Sequence, residues 1–585
     1  MDNNLTGIYI APGARIMDRS GAHRLPIGDD GFESVAARSV FVDKSMLVAD
    51  LLDGHDKVTL FCRPRRFGKS LAMTMLKSFF ELPPDGTSKA SLFEGLSIWD
   101  AEDGRYRAEQ GVRPVIFFTL NDVKKSTWEE CYQALEGKVA AEYQRHGYLE
   151  ASDALGEAEK AQFERVRDMQ GSRNDVESSL RQLALYLRKH HGRGVVILID
   201  EYDAPIMTGH GRGYYRPVVD FMKGWLTGAL KDGGAALDLA CLTGVQRISK
   251  ESIFSDLNNV VVKTALDTES DERFGFTEAE VAALAAYLGH PHKREEVKDW
   301  YDGYRFGEAD IYNPWSVLNY FAKGCAPGIY WANTATNTPV GDAVRGLNSE
   351  SLSDVYSLLQ PGGTVRAPLD LSIVFPEGGI GGDELWSLLY LAGYLTTDDT
   401  RDPTDDLRLR PLRIPNHEVQ LLFSREVVKR FRQVAGGARR LEKLHTALAS
   451  GDAAAVESEL ACILVDNVAP VDLKGENSYH MLMVGLLFGM EGYADPVSNG
   501  RGGTGFYDVR LTPLAAQNPT ITLEFKAFGN ELSAAKERSE LEHAAAQGLV
   551  QIDSKAYDHA ATGRRLRYGI AFHRHSVAVA VETLE

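Results

Sequence analysis

The chain has 585 residues, 44% apolar and 25% charged, and carries a formal net charge of −18. This length exceeds what one core can fill, so three or four domains are expected. The negative balance argues against a general duplex-coating protein, although screening beyond about 10 Å leaves room for a local basic groove.

The cysteines (Cys62, Cys131, Cys241, Cys325 and Cys462) are scattered, odd in number and never in a CxxC pair. That excludes a structural zinc site and a disulfide framework, and it fits a reducing cytoplasm. No basic segment followed by an apolar core opens the chain, so no secretory signal is expected. The longest strongly apolar stretch, Met481 to Met490, is far short of the roughly 20 residues that span a bilayer, so no membrane partner is expected.

In chain order, residues 1–35 are Gly- and charge-rich and predict a loose arm. Residues 36–270 alternate strand-like runs (Val58 to Cys62, Val115 to Leu120, Val195 to Ile199, Leu237 to Leu242) with helix-like stretches, which predicts a parallel sheet flanked by helices. Within them, Gly209-His210-Gly211-Arg212-Gly213 reads as a mobile loop. Residues 271–345 carry helical patterns and many aromatics. Residues 346–470 read as a small mixed helical region with an Ala- and Gly-rich linker around Val434 to Ala454. Residues 471–585 form a second, compact α/β segment.

The strand Val58 to Cys62 runs into Arg63-Pro64-Arg65-Arg66-Phe67-Gly68-Lys69-Ser70 and then into a helix-like stretch. A phosphate-binding loop needs this order: strand, turn exposing backbone N–H groups, lysine, helix N-terminus. Lys69 would reach the β/γ-phosphates and the Ser70 hydroxyl would ligate Mg²⁺. Arg63 stands where GxxxxGK[ST] has its first glycine, so the loop must turn differently, with Arg65 or Arg66 adding charge near the phosphates. The second half of such a site is the apolar run ending in Asp200-Glu201. Asp200 would hold the Mg²⁺ shell and Glu201 would orient the attacking water; a buried strand followed by a solvated acidic turn is the plainer alternative. Arg247, after Leu237 to Leu242, reads either as a γ-phosphate sensor or as a surface arginine capping a loop.

Residues 25–335 resemble the AAA-ATPase-like family of bacteria and archaea. The resemblance rests on Leu25-Pro26-Ile27-Gly28, Phe41-Val42-Asp43-Lys44-Ser45, the Arg63 to Ser70 stretch and Ile199-Asp200-Glu201-Tyr202-Asp203. It continues through Leu242 to Ser249, Trp300-Tyr301-Asp302-Gly303-Tyr304, Tyr312-Asn313-Pro314 and Tyr330-Trp331-Ala332-Asn333. The resemblance implies an ATPase core with a helical lid over 271–345, using ATP and Mg²⁺, and a loop in which the missing first glycine is normal.

Near the other end, Ile521 to Ala527 alternates as a half-buried strand, with Glu524 and Lys526 on one face. Gly505 to Leu511 is another strand candidate, and a hairpin would bring Asp508 beside Glu524. Two carboxylates and a lysine suit metal-assisted phosphodiester hydrolysis. Glu476, opening a helix, would add a metal ligand or merely favour the helix N-terminus, and Gln551 would face the site from a later helix. The order Glu476 to His480, Tyr507-Asp508, Glu524-Phe525-Lys526, Gln551-Ile552 resembles the PD-(D/E)XK nuclease superfamily, in the branch fused to AAA-ATPase-like proteins. The fold class expected is therefore α/β: a P-loop NTPase sheet with a lid, plus a C-terminal nuclease-like domain.

The Gly-rich Ser498 to Gly503 and the basic Arg564-Arg565-Leu566-Arg567 read as phosphate contacts or, more blandly, as a flexible loop and a solvated strand edge. The reading that joins these parts is a cytoplasmic ATPase and Mg²⁺-dependent nuclease acting on nucleic acid, expected to be DNA, in defence or mobile-element biology. Arg305 would serve as a finger in trans if the protein forms a homo-oligomer. The alternative is a nucleotide-switched binding or regulatory protein whose nuclease fold does not cut.

Overall fold

The computed structural model describes residues 7–83, 86–231, 236–247, 257, 259–331, 354–355, 357–359, 362–371, 382–402, 404–405, 407–467, 476–528, 532–533, 536–559 and 561–585. They fall into two compact units, Met1–Ala335 with Arg366–Val419 and Thr336–Val365 with Gln420–Glu585.

The first unit opens not on a loose arm but on an antiparallel hairpin. Strands β1 (Ile8–Ala11) and β2 (Ala14–Met17) turn at Pro12-Gly13, and β2 pairs with β3 (Phe41–Val42). Ile16 and Met17 are fully buried, so the apolar content of a short segment outweighed its Gly and charge content. The central sheet comprises β4 (Val58–Cys62), β5 (Val115–Thr119), β6 (Val195–Asp200), β7 (Leu237–Gly244) and β8 (Val260–Lys263). Its order is β5-β6-β7-β4-β8 and every neighbouring pair is parallel. The four strands foreseen in sequence are present with ends shifted by up to two residues; β8 was not placed. All six residues of β6 are buried, as expected for a strand covered on both faces.

Helix α1 (Lys69–Phe80) follows β4, and α2 (Arg173–His191) precedes β6. A Ser172–Asp175 capping box starts α2, and Gly192, in the left-handed region, ends it. Helix α3 (Ala204–Arg212) contains most of the segment read as a mobile loop; Gly213 is its C-cap. Helix α4 (Tyr215–Leu230) buries Val218, Phe221, Met222 and Trp225 in the same core as Leu180, Leu183 and Leu187 of α2.

The lid is not purely helical. Helices α5 (Glu278–Tyr287), α6 (Arg294–Tyr301) and α7 (Pro314–Ala322) surround a sheet of β9 (Phe276–Thr277), β10 (Tyr304–Phe306) and β11 (Ala309–Tyr312), ordered β10-β11-β9. Its aromatics Tyr301, Tyr304, Phe306, Tyr312 and Tyr320 are buried, and so form lid core. A further small sheet, β12 (Val365–Pro368), β13 (Thr396–Thr397) and β14 (Leu409–Arg413), adjoins it: Arg305 N donates to Thr396 Oγ1 at 3.1 Å and Tyr304 Oη to Gly393 O at 2.9 Å. Residues 366–419 thus belong to the first unit rather than to a separate helical region.

The stretch read as a linker lies inside the second unit. Much of 434–454 is instead helical: α8 (Ala438–Ser450) and the start of α9 (Ala453–Asn467), with Leu441, Leu444 and Leu448 buried. Tyr568 Oη donates to Leu448 O at 2.9 Å, tying α8 to the sheet. After α10 (Glu476–Leu487) come β15 (Val497–Gly502), β16 (Gly505–Leu511) and β17 (Thr520–Ala527), then α11 (Glu537–Ser554), β18 (Arg565–His573) and β19 (Ser576–Leu584). The sheet order is β15-β16-β17-β18-β19; β17 and β18 run parallel, joined through α11, and the other pairs are antiparallel.

Trp225 is 1% exposed, meets Phe118 edge-on and donates from Nε1 to Ser179 Oγ at 3.1 Å. Trp225→Ala should destabilise the first unit by about 3–5 kcal/mol, read from urea unfolding, and Trp225→Phe by clearly less.

Candidate functional site

The C-terminal ends of the parallel strands gather the polar residues of the first unit. From β4 the chain turns through Arg63 to Gly68 and enters α1 at Lys69. Gly68 sits at φ +83°, in the left-handed region, where a side chain would strain the turn. It is the N-cap of α1 but supplies no side-chain cap, so the first N–H groups of the helix are left for an external anion. Lys69 is 6% exposed and its Nζ donates to Arg63 O at 2.9 Å and Pro64 O at 2.8 Å. Burial holds its pKa below the usual lysine range, against the opposing charges of Glu201, Asp200 and Asp203.

Ser70 Oγ donates to Asp200 Oδ2 at 2.7 Å, and Thr243 Oγ1 donates to Asp200 Oδ1 at 2.6 Å. Asp200 is 2% exposed; burial raises its pKa and the two hydroxyls oppose that rise. The hydroxyl of Ser70 and the carboxylate of Asp200 are adjacent oxygen donors of the kind Mg²⁺ takes, so the residues present fit that ion. Thr243 was read only as part of a resemblance, with no role assigned; its signal was its place near the end of an apolar strand. Glu201 takes φ +51° and lies 3.8 Å from Lys124 Nζ. Asp203 Oδ2 accepts from Val245 N at 2.9 Å and Gln246 N at 3.0 Å, fixing the backbone that leads to half-buried Arg247.

The other loop residues turn elsewhere. Phe67 packs against Tyr304 and Phe306 of β10, and Arg66 lies over the Trp315 ring at 4.1 Å. Arg65 is exposed, and its carbonyl accepts from Trp331 Nε1 at 3.4 Å. Arg63 points into the core with no exposure. Arg305 pairs with Asp310 across its own hairpin at 2.9 Å.

In the second unit, β16 pairs with β17 only from Val509 to Leu511. Beyond that the strands part, and Asp508 Oδ2 accepts the Phe525 N–H at 2.6 Å. Glu524 is 2% exposed; its Oε1 accepts from Lys526 Nζ at 3.0 Å and from Gln551 Nε2. Gln551 also donates to Tyr557 Oη at 3.1 Å. Burial first, then the charge of Asp508, push Glu524 up to about 7, and burial raises Asp508 as well. His480, on α10, puts Nδ1 3.9 Å from Asp508 Oδ1 and Nε2 2.6 Å from Ser498 Oγ; it was read only as part of a resemblance. Asp508, Glu524, Lys526 and Gln551 therefore meet. Glu476 opens α10, but its side chain lies outside the described part. Among the described residues no group of three His, Cys, Asp or Glu is placed to hold a metal ion.

The supposed phosphate contacts have other work. Ser498 to Gly502 is strand rather than loop, and a Cβ on Gly502 would lie 2.3 Å from Tyr557 O, so its glycine serves close packing. Arg567 is buried and bound to Asp558, Asp553 and Glu582.

Among the described residues no helix is long and apolar enough to cross a membrane. The model of the AAA-ATPase-like family, described as "Predicted AAA-ATPase", matches residues 26–254. That match gives no support to a nuclease domain in 471–585. A protein of Azotobacter chroococcum mcd 1, described as an uncharacterized protein in the vnfD 5′ region, is 30% identical over 417 residues, 70% of each chain. No solved structure matches. With the loop, the buried carboxylate and the family match in hand, residues 26–254 form a domain of the AAA-ATPase-like family.

Proposed function

We propose that the first unit binds and hydrolyses ATP with Mg²⁺, and that the second carries a metal-dependent nuclease site for nucleic acid, with DNA as the polymer. The observation that supports the first half most is the convergence of Lys69, Ser70, Asp200 and Thr243 at the end of the parallel sheet. The uncapped N-terminus of α1 takes phosphate oxygens, and Lys69 exchanges two loop carbonyls for them. Ser70 and Asp200 would hold the Mg²⁺, which when bound offsets triphosphate charge. Glu201 projects beyond β6, where it orients or deprotonates water, with the Lys124 ammonium 3.8 Å from its carboxylate.

In the second unit, Asp508 and Glu524 would hold a divalent ion, whose chemistry is to lower the pKa of a bound water. Gln551 fixes the Glu524 oxygen, and Lys526 orients water or meets the phosphate charge. A specific observation favours a second reading, a nucleotide-switched binding protein that does not cut: Glu524 is engaged by Lys526 and Gln551 and its pKa is lifted to about 7.

Lys69→Ala should abolish ATP turnover. Glu201→Gln should keep ATP binding and lower kcat by about 10²–10⁴-fold, the range of a lost general base. Plasmid, linear and single-stranded DNA, incubated with Mg²⁺ or Mn²⁺ with and without ATP, tests the second site. Cleavage should vanish in Glu524→Ala/Lys526→Ala while ATP turnover persists; no cleavage by an ATP-hydrolysing wild type selects the binding reading.

Glu524 also makes a pH prediction in EDTA. Its folded pKa, about 7, lies above the ordinary 4.5, so its burial costs nothing below pH 4.5 and costs progressively more as pH rises towards 7. Glu524→Gln should therefore raise Tm more at pH 8 than at pH 5. An equal shift at both pH values would refute the assignment.

A further inference from the structure

Arg63 has no place in the chemistry just described, yet it occupies the position where a GxxxxGK[ST] loop has its first glycine. Its backbone belongs to the loop: Arg63 N donates to Gly244 O at the end of β7 at 3.1 Å, and Arg63 O accepts from Lys69 Nζ. Its side chain leaves the loop. The guanidinium stands 5.2 Å from the centre of the Phe306 ring and 5.5 Å from that of Phe274, and Nη1 donates to Cys62 O at 3.1 Å and Lys263 O at 2.8 Å. Nε and Nη2 have no protein partner, and the residue has no exposure.

A role in packing alone would be better filled by an apolar side chain. Burying a cation with unpaired N–H groups costs stability, and replacing such a group by a hydrophobe of similar volume is often neutral or stabilising. Cation–π contacts return part of that cost. What the arginine adds is connection. It joins the β4 end, the β8 end and the ring of Phe306, whose other neighbour is Phe67 of the loop. Gly275 N donates to Phe67 O at 3.1 Å, closing the same circuit from the lid side. Lys69 is bonded to the carbonyl of Arg63 itself, so moving Lys69 to a phosphate releases the residue that holds the lid.

We propose that Arg63 is a positioning residue that couples the phosphate loop to lid strand β10, so that ATP at the loop is read out as a change in the lid. This rests on the ATP-binding reading. The test uses the full chain, with binding of methylanthraniloyl-ATP, thermal melting, and hydrogen exchange of residues 300–312 with and without ATP. Arg63→Met should melt at or above the wild-type temperature, bind the nucleotide at least tenfold more weakly, and lose the ATP-dependent change in exchange of β10 and β11. Arg63→Lys should not rescue it, because a lysine ammonium lacks the planar, delocalised head that meets two rings and two carbonyls at once. Phe306→Leu, with the arginine intact, should show the same defect, and the double variant Arg63→Met/Phe306→Leu should be no worse than either single one.

Wild-type affinity together with a wild-type exchange response in Arg63→Met overturns the proposal. Should that variant not fold, the same result in both Arg63→Lys and Phe306→Leu overturns it. A wild type that binds no nucleotide refutes the ATP reading and this inference with it, whereas a binding wild type matched by its variants refutes this inference alone.

Discussion

The carboxylate of Asp200 is the constraint on which the candidate site of the first unit depends. It lies at the buried end of β6, where an ionised oxygen without a partner would be strongly disfavoured. Two hydroxyls offset part of that cost, Ser70 from α1 and Thr243 from β7. The sheet order makes this possible, because β7 lies between β6 and β4. Thr243 thus reaches Asp200 from the neighbouring strand, and Ser70 reaches it across that strand from the helix that follows β4. One side chain thus links the end of β6, the end of β7 and the start of α1.

Charge balance around that side chain explains the posture of Lys69. Asp200, Glu201 and Asp203 stand within four positions of one another, and all three oppose the loss of Lys69's proton. Burial works the other way, and the two loop carbonyls satisfy the ammonium without neutralising it. A lysine bonded to backbone carbonyls keeps its charge and its hydrogen bonds yet exchanges them readily for phosphate oxygens. Asp203 cannot take that part, because both backbone N–H groups after β7 already occupy it.

How much of this was legible in sequence follows from which forces are local. The run Val195 to Ile199 is apolar without interruption, and those around Val58, Val115 and Leu237 are broken only by Thr59, Thr119 and Asp238, so burial in a covered sheet could be read directly. Gly68, Lys69, Ser70 and Asp200 were legible because helix N-terminus and strand end have a fixed chemistry. The hairpin Ile8 to Met17 was missed because Gly and charge content masked two short apolar strands. The lid sheet and residues 366–419 were misjudged because their partners are distant: β10 meets Thr396 and Gly393 some ninety residues on. Arg66 and Phe67 sit inside the motif, but rings of β10 and α7, more than two hundred residues away, decide where they point.

The C-terminal triad shows the same limit from the other side. The two-residue spacing of Glu524 and Lys526 could be read, and so could the hairpin that brings Asp508 near. What the pattern could not supply is the divergence of β16 from β17 beyond Val509. That divergence leaves the Phe525 N–H without a strand partner, and the Asp508 carboxylate takes it. Asp508 is thereby tied to the backbone of the residue between Glu524 and Lys526. Gln551, delivered by the helix that joins the parallel pair β17 and β18, reaches Glu524 from another direction. One strand separation thus sets two carboxylates side by side in a poorly hydrated place. Burial, and after it the charge of Asp508, push Glu524 up to about 7 even though Lys526 pulls the other way.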